Sequence, residues 1–354
     1  MISGSPQIYL MNTDLKALDA HEIERWVLGQ GLQAYRGRQI RQWLYGRLAG
    51  SFEEMTDIPK SLRSLLQERA SITPLEKVKT LVSEDRTEKY LFKLSDGNLI
   101  ESVLIPERDH FTLCISSQAG CAMGCRFCLT ATRGLKRNLK TSEIIEQVIQ
   151  VRRAMEHPDR LTNLVLMGMG EPLANYDAVV KAIRNMIAED GMNFSHRKVT
   201  LSTCGLVPQI KKLGQDITLN LAISLNAADD KTRSFLMPIN RKYPLKNLVA
   251  ACKDFPLPNR RMLTFEYILI RDINDRSEDA LNLVRLLSAL RAKINLIPLN
   301  RHPACDLSPP SMERALQFQK ILMENHFTAI IRKSKGQDIM AACGQLSGQR
   351  EAES

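Results

Sequence analysis

From Asp14 to about Glu68 apolar residues recur every three to four positions: Leu15, Leu18, Ile23, Trp26 and Val27, then Ile40, Trp43, Leu44 and Leu48, then Leu62, Leu65 and Leu66. That period is helical. Ser51 and the Thr56-Asp57-Ile58-Pro59 run break it, with Pro59 placed to start a helix, so the pattern predicts a module of three or four helices after a loose lead-in over Met1 to about Thr13. Near Ile72 the texture changes. Glu76–Ser83, Glu88–Leu94, Asn98–Ile105 and Phe111–Ser116 read as strands, with Ser95-Asp96-Gly97 as a tight turn.

Downstream, strand-like runs at Leu161–Met167, Lys198–Ser202, Ile217–Ser224, Met262–Ile270, Lys293–Leu299 and Thr328–Arg332 alternate with helical runs. The helical runs lie near Thr141–Met155, Asp177–Ala188, Leu245–Lys253, Ser277–Leu290 and Pro310–Asn325. Regular β/α alternation implies a parallel sheet, and six or so units imply an open, partial barrel with its chemistry at the carboxyl ends of the strands. The organisation expected is therefore an α/β fold. Residues 1–72 form a helical accessory domain, 73–110 a β-hairpin extension, 111–332 a partial (β/α)6 barrel and 333–354 a basic, then Gly-rich, mobile tail.

Composition changes this picture little. Hydrophobic residues make up 44% and charged residues 25% of 354, which excludes wholesale disorder and disulfide-stapled miniature folds. No apolar run reaches the roughly 18 residues that cross a bilayer, and no secretory signal opens the chain, so a cytoplasmic protein without a membrane partner is expected. The net charge of +10 permits a polyanionic partner without requiring one.

The cysteines change it more. Four of eight fall between Cys114 and Cys128, and Cys121-Ala122-Met123-Gly124-Cys125-Arg126-Phe127-Cys128 is a C-x3-C-x2-C run after a predicted strand. Three closely spaced thiolates can hold three irons of a [4Fe–4S] cluster and leave the fourth iron open to an exogenous ligand. A structural zinc site needs four closed ligands, and the run offers no second C-x2-C pair, although His110 lies upstream.

With Phe127 before the last cysteine, and with Gly168-Met169-Gly170-Glu171-Pro172 after the next strand, this segment resembles the radical S-adenosylmethionine (SAM) superfamily. Six further stretches narrow the resemblance to the RlmN/Cfr family of radical SAM RNA adenine methyltransferases. They are Ile100–Pro106, Cys114–Cys121, Leu201–Thr203, Ser224–Ala227, Asn295–Asn300 and Ala341–Leu346, which with the Gly168–Leu173 run span most of the chain in order. The resemblance implies a [4Fe–4S] cluster on Cys121, Cys125 and Cys128. It also implies two SAM molecules per turnover, bound through Gly170, Glu171, Ser202, Ser224, Leu225, Asn226 and Asn300.

Adenine ring carbons are poor nucleophiles, so polar displacement on SAM does not methylate them. The resemblance implies another route. Cys343, as thiolate, takes a methyl from one SAM. A second SAM, reduced through the cluster, yields a radical that removes hydrogen from the S-methyl group, and the methylene radical adds to the ring. Glu101 removes the ring proton, and Cys114 attacks the sulfur of Cys343, releasing the base and leaving a transient disulfide. Cys204, Cys252 and Cys305 match no role and are expected in packing or at the surface.

The implied partners are 23S rRNA at the peptidyl-transferase centre, tRNA beside the anticodon, and an electron donor, with the protein itself a monomer. Arg36, Arg38, Arg41 and Arg47, interleaved with Tyr35, Trp43 and Tyr45, and Arg133, Lys136, Arg137 and Lys140 are the cations that would meet phosphates. Trp43 also fits the helical core and is assigned to packing. Leu129 and Arg301 depart from residues common in the family. The Cys128–Ala131 and Gly168–Asp177 runs favour the carbon-2 (RlmN) branch over the carbon-8 (Cfr) branch. The reading from another class is a non-catalytic RNA-binding protein with a structural metal.

Overall fold

The computed structural model describes residues 12–348; the expected lead-in lies almost wholly outside them. The N-terminal module is closed by two short parallel strands, β1 (Thr13–Asp14) against β2 (Ala70–Ser71), with α1 (Ala20–Gly29), α2 (Tyr35–Arg41) and α3 (Lys60–Arg69) between them. Asp19 and Glu22 form a reciprocal capping box at the start of α1. Pro59 caps α3 from just outside it, and Lys60 is the first helical residue.

A ten-stranded sheet follows, in the order β14-β13-β12-β11-β10-β9-β6-β5-β4-β3. Its antiparallel end is β3 (Glu76–Val82), β4 (Glu88–Lys93) and β5 (Leu99–Pro106). Next comes β6 (Phe111–Cys114), antiparallel to β5 and parallel to β9. The hairpin extension is therefore continuous with the barrel sheet rather than a separate unit, because β5 satisfies the free edge of β6.

A small hairpin, β7 (Gln118–Gly120) with β8 (Leu135–Asn138), brackets the cysteine loop and the one-turn α4 (Leu129–Thr132). Then α5 (Thr141–Ala154), β9 (Leu161–Leu166), α6 (Tyr176–Ile187), β10 (Val199–Thr203), α7 (Val207–Asp216) and β11 (Asn220–Ser224) alternate. The chain continues through α8 (Asp230–Leu236), α9 (Leu245–Asp254), β12 (Leu263–Leu269), α10 (Ser277–Leu287), β13 (Ala292–Pro298), α11 (Met312–Glu324) and β14 (Thr328–Ile331). From β6 to β13 the strands pair in parallel without closing on themselves, giving the partial barrel, and β14 extends it by one strand. No helix among the described residues is long and apolar enough to cross a membrane.

Two helices escape the sequence pattern. Pro208 and Gly214 read as breakers in α7, yet proline belongs in a helix's first turn. In α8 seven mostly polar residues hide the buried Arg233.

The accessory module is riveted to the outer helices of the barrel. Lys16 pairs with Glu146 of α5, both wholly buried. Arg41 donates to Asp190 at 2.8 Å and to Asn185 at 2.9 Å, and Lys181 donates to Glu22 at 2.8 Å. Arg41 is therefore an anchor and not a phosphate-binding cation, and Tyr45 is buried core, contrary to the expected surface roles. Trp43 packs as expected, its indole N–H bonded to Asp57 at 2.6 Å. Tyr35, Arg38, Arg47, Arg133, Lys136 and Lys140 remain exposed.

The tail departs most from expectation. To the end of the described residues it is docked over the barrel mouth. Leu129 N–H donates to the Gly344 carbonyl at 2.7 Å, Thr130 Oγ1 to the Leu346 carbonyl at 2.7 Å, and Gln345 Nε2 to the Arg301 carbonyl at 2.7 Å. Ser83 Oγ holds Asp338 at 2.6 Å, and Ala341, Ala342 and Leu346 are buried. Gly348, at φ +62°, passes so close to β5 that a Cβ there would stand 2.6 Å from the Leu99 carbonyl oxygen.

Candidate active site

The carboxyl ends of β9 to β13 surround a cavity of about 820 Å³, counted out to its open mouth. Most of these residues stand at the end of their strand or in the turn after it, where the next connection must turn away, whereas Glu266 lies within β12. From β9 come Gly170 and Glu171, from β10 Ser202 and Thr203, from β11 Ser224 and Asn226, from β12 Glu266 and Ile268, and from β13 Ile297. Cys121, Cys125 and Cys128 form the side toward the cysteine loop, and Cys343 and Gly344 reach in from the tail.

Gly170 has φ +100°, and a Cβ there would lie 2.5 Å from Gln118 Cβ, so only glycine lets this turn meet β7. Gln118 Oε1 accepts the Glu171 N–H at 2.8 Å. The Glu171 carboxylate accepts Leu173 N–H at 3.0 Å and Cys204 N–H at 2.8 Å, while burial pushes its carboxyl above the usual range. Arg233, 0% exposed, ties the β10 and β11 ends together. It donates to the carbonyls of Cys204 at 2.7 Å, Ser224 at 3.2 Å and Leu225 at 3.0 Å, and to Asn240 Oδ1 at 2.9 Å.

Leu225 does not face the cavity. It is fully buried, and it contributes through its backbone to this clamp. Asn226 takes left-handed backbone, φ 61°, and its Oδ1 accepts Ile268 N–H at 2.8 Å. Asn300 stands behind the wall, donating to the Cys343 carbonyl at 3.0 Å and accepting from Gln337 at 2.7 Å.

Burial raises the Cys121 thiol to about 12 and moves Cys125 and Cys128 in the same direction; charge on Cys128 would further oppose charge on Cys121 and Cys125. All three line the same cavity. Among the described residues no three His, Cys, Asp or Glu side chains converge on a single metal ion. Three thiols that need not converge suit separate irons of one cluster and do not make a closed zinc site. His110 is occupied elsewhere, against Asn163 at 3.0 Å.

Cys343 is accessible from the cavity yet deep among protein atoms, and burial, followed by the nearby Glu266 carboxyl, raises its thiol to about 11. Cys114 lies buried in β6, paired with Val103 and Val165. Burial raises its thiol strongly, and charge on Cys343 would raise it further; no cysteine is in a disulfide.

Glu101, in β5, is only 2% exposed. Its Oε1 lies 3.3 Å from Lys89 Nζ, and its Oε2 accepts the N–H groups of Ser347 at 2.7 Å and Gly348 at 3.0 Å. Glu266 and Met237 line the cavity without having been singled out in the sequence, and Cys204, expected in packing or at the surface, is buried and lines it as well. Cys252 is packed in α9 as expected, and Cys305 is half-buried with its sulfur 3.7 Å from the Arg126 carbonyl.

An open parallel barrel whose first strand leads into a three-cysteine loop, and whose next turn places glycine and a buried carboxylate beside it, defines a radical SAM enzyme. Residues 115–284 match the family model of the Radical SAM superfamily, and residues 13–72 match the Ribosomal RNA large subunit methyltransferase N-terminal domain. Over 339 residues the chain is 53% identical to the Dual-specificity RNA methyltransferase RlmN of Geobacter sulfurreducens, covering 96% of this chain and 93% of that one. It is 50% identical to the protein of the same name from Syntrophus aciditrophicus over 341 residues, covering 96% and 98%. The crystal structure of a radical SAM methyltransferase from Sphaerobacter thermophilus superposes with a TM-score of 0.91 at 44% identity, over 95% of this chain and 100% of that one. The chain belongs to the RlmN family of radical SAM RNA methyltransferases, whose cofactors are a [4Fe–4S] cluster and SAM.

Proposed function

We propose that this enzyme methylates carbon-2 of adenine in 23S rRNA at the peptidyl-transferase centre and in tRNA beside the anticodon, carrying the methyl group on Cys343. The observation that carries the reading is the position of Cys343 in the wall of the cavity that the three cluster cysteines and Glu171 also line. Bound cluster and SAM supply the methyl group and the hydrogen-abstracting radical.

The chain's own residues do the rest. Cys121, Cys125 and Cys128 hold the cluster, and because their thiols sit high, loading it releases their protons. Gly170 and Glu171 offer a backbone edge and a buried carboxylate to the SAM ammonium, while Ser202, Ser224 and Asn226 present polar groups from the strand ends. Leu225 and Asn300 act from behind the wall. Cys343 presents its sulfur to the methyl donor and then to the adenine. Glu101 receives the ring proton, and Cys114 resolves the thioether by forming a disulfide with Cys343.

The module over 13–72 and the exposed Arg38, Arg133, Lys136 and Lys140 are read as the RNA-facing surface, with a flipped or unpaired adenine entering the mouth. The protein is read as a cytoplasmic monomer served by a separate electron donor. Anaerobic reconstitution with SAM and rRNA or tRNA fragments, followed by nucleoside mass spectrometry, tests the reading. 2-Methyladenosine is expected, 8-methyladenosine would move the enzyme to the carbon-8 branch, and the absence of both products would refute RNA methylation.

A further inference from the structure

Lys89 is a buried cation in a stretch to which the chemistry so far gives no task. It lies on β4, 5% exposed. Removing an ammonium from water costs several kcal/mol, so a lysine this deep needs partners that answer its charge. In the β4–β5 ladder Lys89 stands opposite Val103, which makes Glu101, two residues away, its diagonal neighbour on the same face. Lys89 Nζ lies 3.3 Å from Glu101 Oε1, and it also donates to the Met340 carbonyl at 3.4 Å. One ammonium therefore touches both the carboxylate read as the base and the segment that carries Cys343.

The other carboxylate oxygen is taken by the tail. Ser347 and Gly348 both donate to Glu101 Oε2, the kind of contact that an incoming ring proton must replace. When these amides leave, a carboxylate in a dry site loses two donors at once. Such a group is costly without an opposing charge, and it is free to turn to the wrong rotamer.

We propose that Lys89 is a positioning residue for proton removal: it fixes Glu101 and answers its charge while the tail amides exchange for adenine. This rests on the reading of Glu101 as the base. In the step concerned the ring proton moves to a Glu101 oxygen, the C–H electron pair stays on the adenine adduct, and Lys89 keeps its proton.

The test uses the full-length, anaerobically reconstituted enzyme with SAM and substrate RNA. Three quantities are read: methyl on the Cys343 peptide, covalent RNA–protein adduct on a denaturing gel, and methylated adenosine. Lys89→Met is expected to load methyl on Cys343 as the native protein does, yet to accumulate adduct while product falls roughly 100-fold, the scale of a misplaced general base. Lys89→Gln, which keeps a donor but no charge, should behave alike and serves if the methionine variant does not fold. Lys89→Arg should recover most of the product.

A merely structural lysine would lower methyl loading, adduct and product together, and that result would overturn the proposal. Glu101→Gln separates the two layers. If it accumulates adduct and the Lys89 variants do not, the role of Lys89 falls and that of Glu101 stands. If Glu101→Gln shows no accumulation, the base assignment falls and takes this inference with it.

Discussion

The wall of the cavity and its cover are built by different physics. The wall consists of parallel strand ends, each fixed by ladder register to its neighbours and backed by a core running from Leu15 to Leu346. Arg233 locks two of those ends from behind. The cover is the tail, held mainly by single hydrogen bonds to loops and to Glu101, with three small or medium apolar residues tucked beneath. At about 1 kcal/mol net per hydrogen bond, such contacts hold a segment in place while letting it leave. A wall that binds a cofactor identically at each turnover gains from register; a cysteine with the role proposed for Cys343, meeting a methyl donor, an adenine and then Cys114, gains from exchangeable contacts.

The largest effects should fall on the cover's own chemistry. Cys343→Ala should abolish both methylated adenosine and the RNA–protein adduct, whereas Cys114→Ala should stall with adduct accumulated, a contrast read on one denaturing gel. Adduct in Cys343→Ala would sink the assignment of the carrier. Next comes the wall. Arg233→Met leaves its carbonyl acceptors without a donor and should cost roughly 3 kcal/mol of stability in denaturant unfolding, since a buried charged network is lost from one side. A loss below 1 kcal/mol would mean that register alone holds the strand ends.

Smaller effects sharpen the contrast. In protein without cluster, burial holds the Cys343 thiol up to about 11, so at lower pH its thiolate fraction is small. Its alkylation rate, read by mass spectrometry, should rise about tenfold per pH unit up to that point. A plateau near pH 8 would show that the thiol is not held high by burial. Asn300→Ala removes the hydrogen bond to the Cys343 carbonyl and should loosen the tail by about 1 kcal/mol. Tryptic cleavage at Lys333 and Lys335 should then run about fivefold faster, with unfolding of the barrel unchanged.

The same division separates what was legible in the sequence from what was not. Strand ends announce themselves, because apolar runs stop at polar residues such as Ser202 and Ser224, and spacing alone marks Cys121, Cys125 and Cys128. Tail docking leaves little such trace. A Gly-rich stretch reads as loose when its anchors are backbone groups distant in sequence, as in the Leu129–Gly344 and Gln345–Arg301 contacts. In both contacts the tail uses a backbone group, the Leu129 N–H and the Arg301 carbonyl, so neither depends on the side chain at that position. Glu101 reads as a solvent-facing strand carboxylate until the tail and Lys89 are seen to cover it. Arg233 hides because one buried charge in a seven-residue helix has no periodic signature.

The most direct test of the account follows the methyl group itself. Cys343 is loaded with a trideuterated methyl from labelled SAM, the protein is freed of that donor, and substrate RNA is added with unlabelled SAM under reducing, anaerobic conditions. If the methyl rides on Cys343 and loses one hydrogen to become a methylene radical, the first methyladenosine formed carries two deuteriums. A first product whose methyl group holds no deuterium would contradict the account.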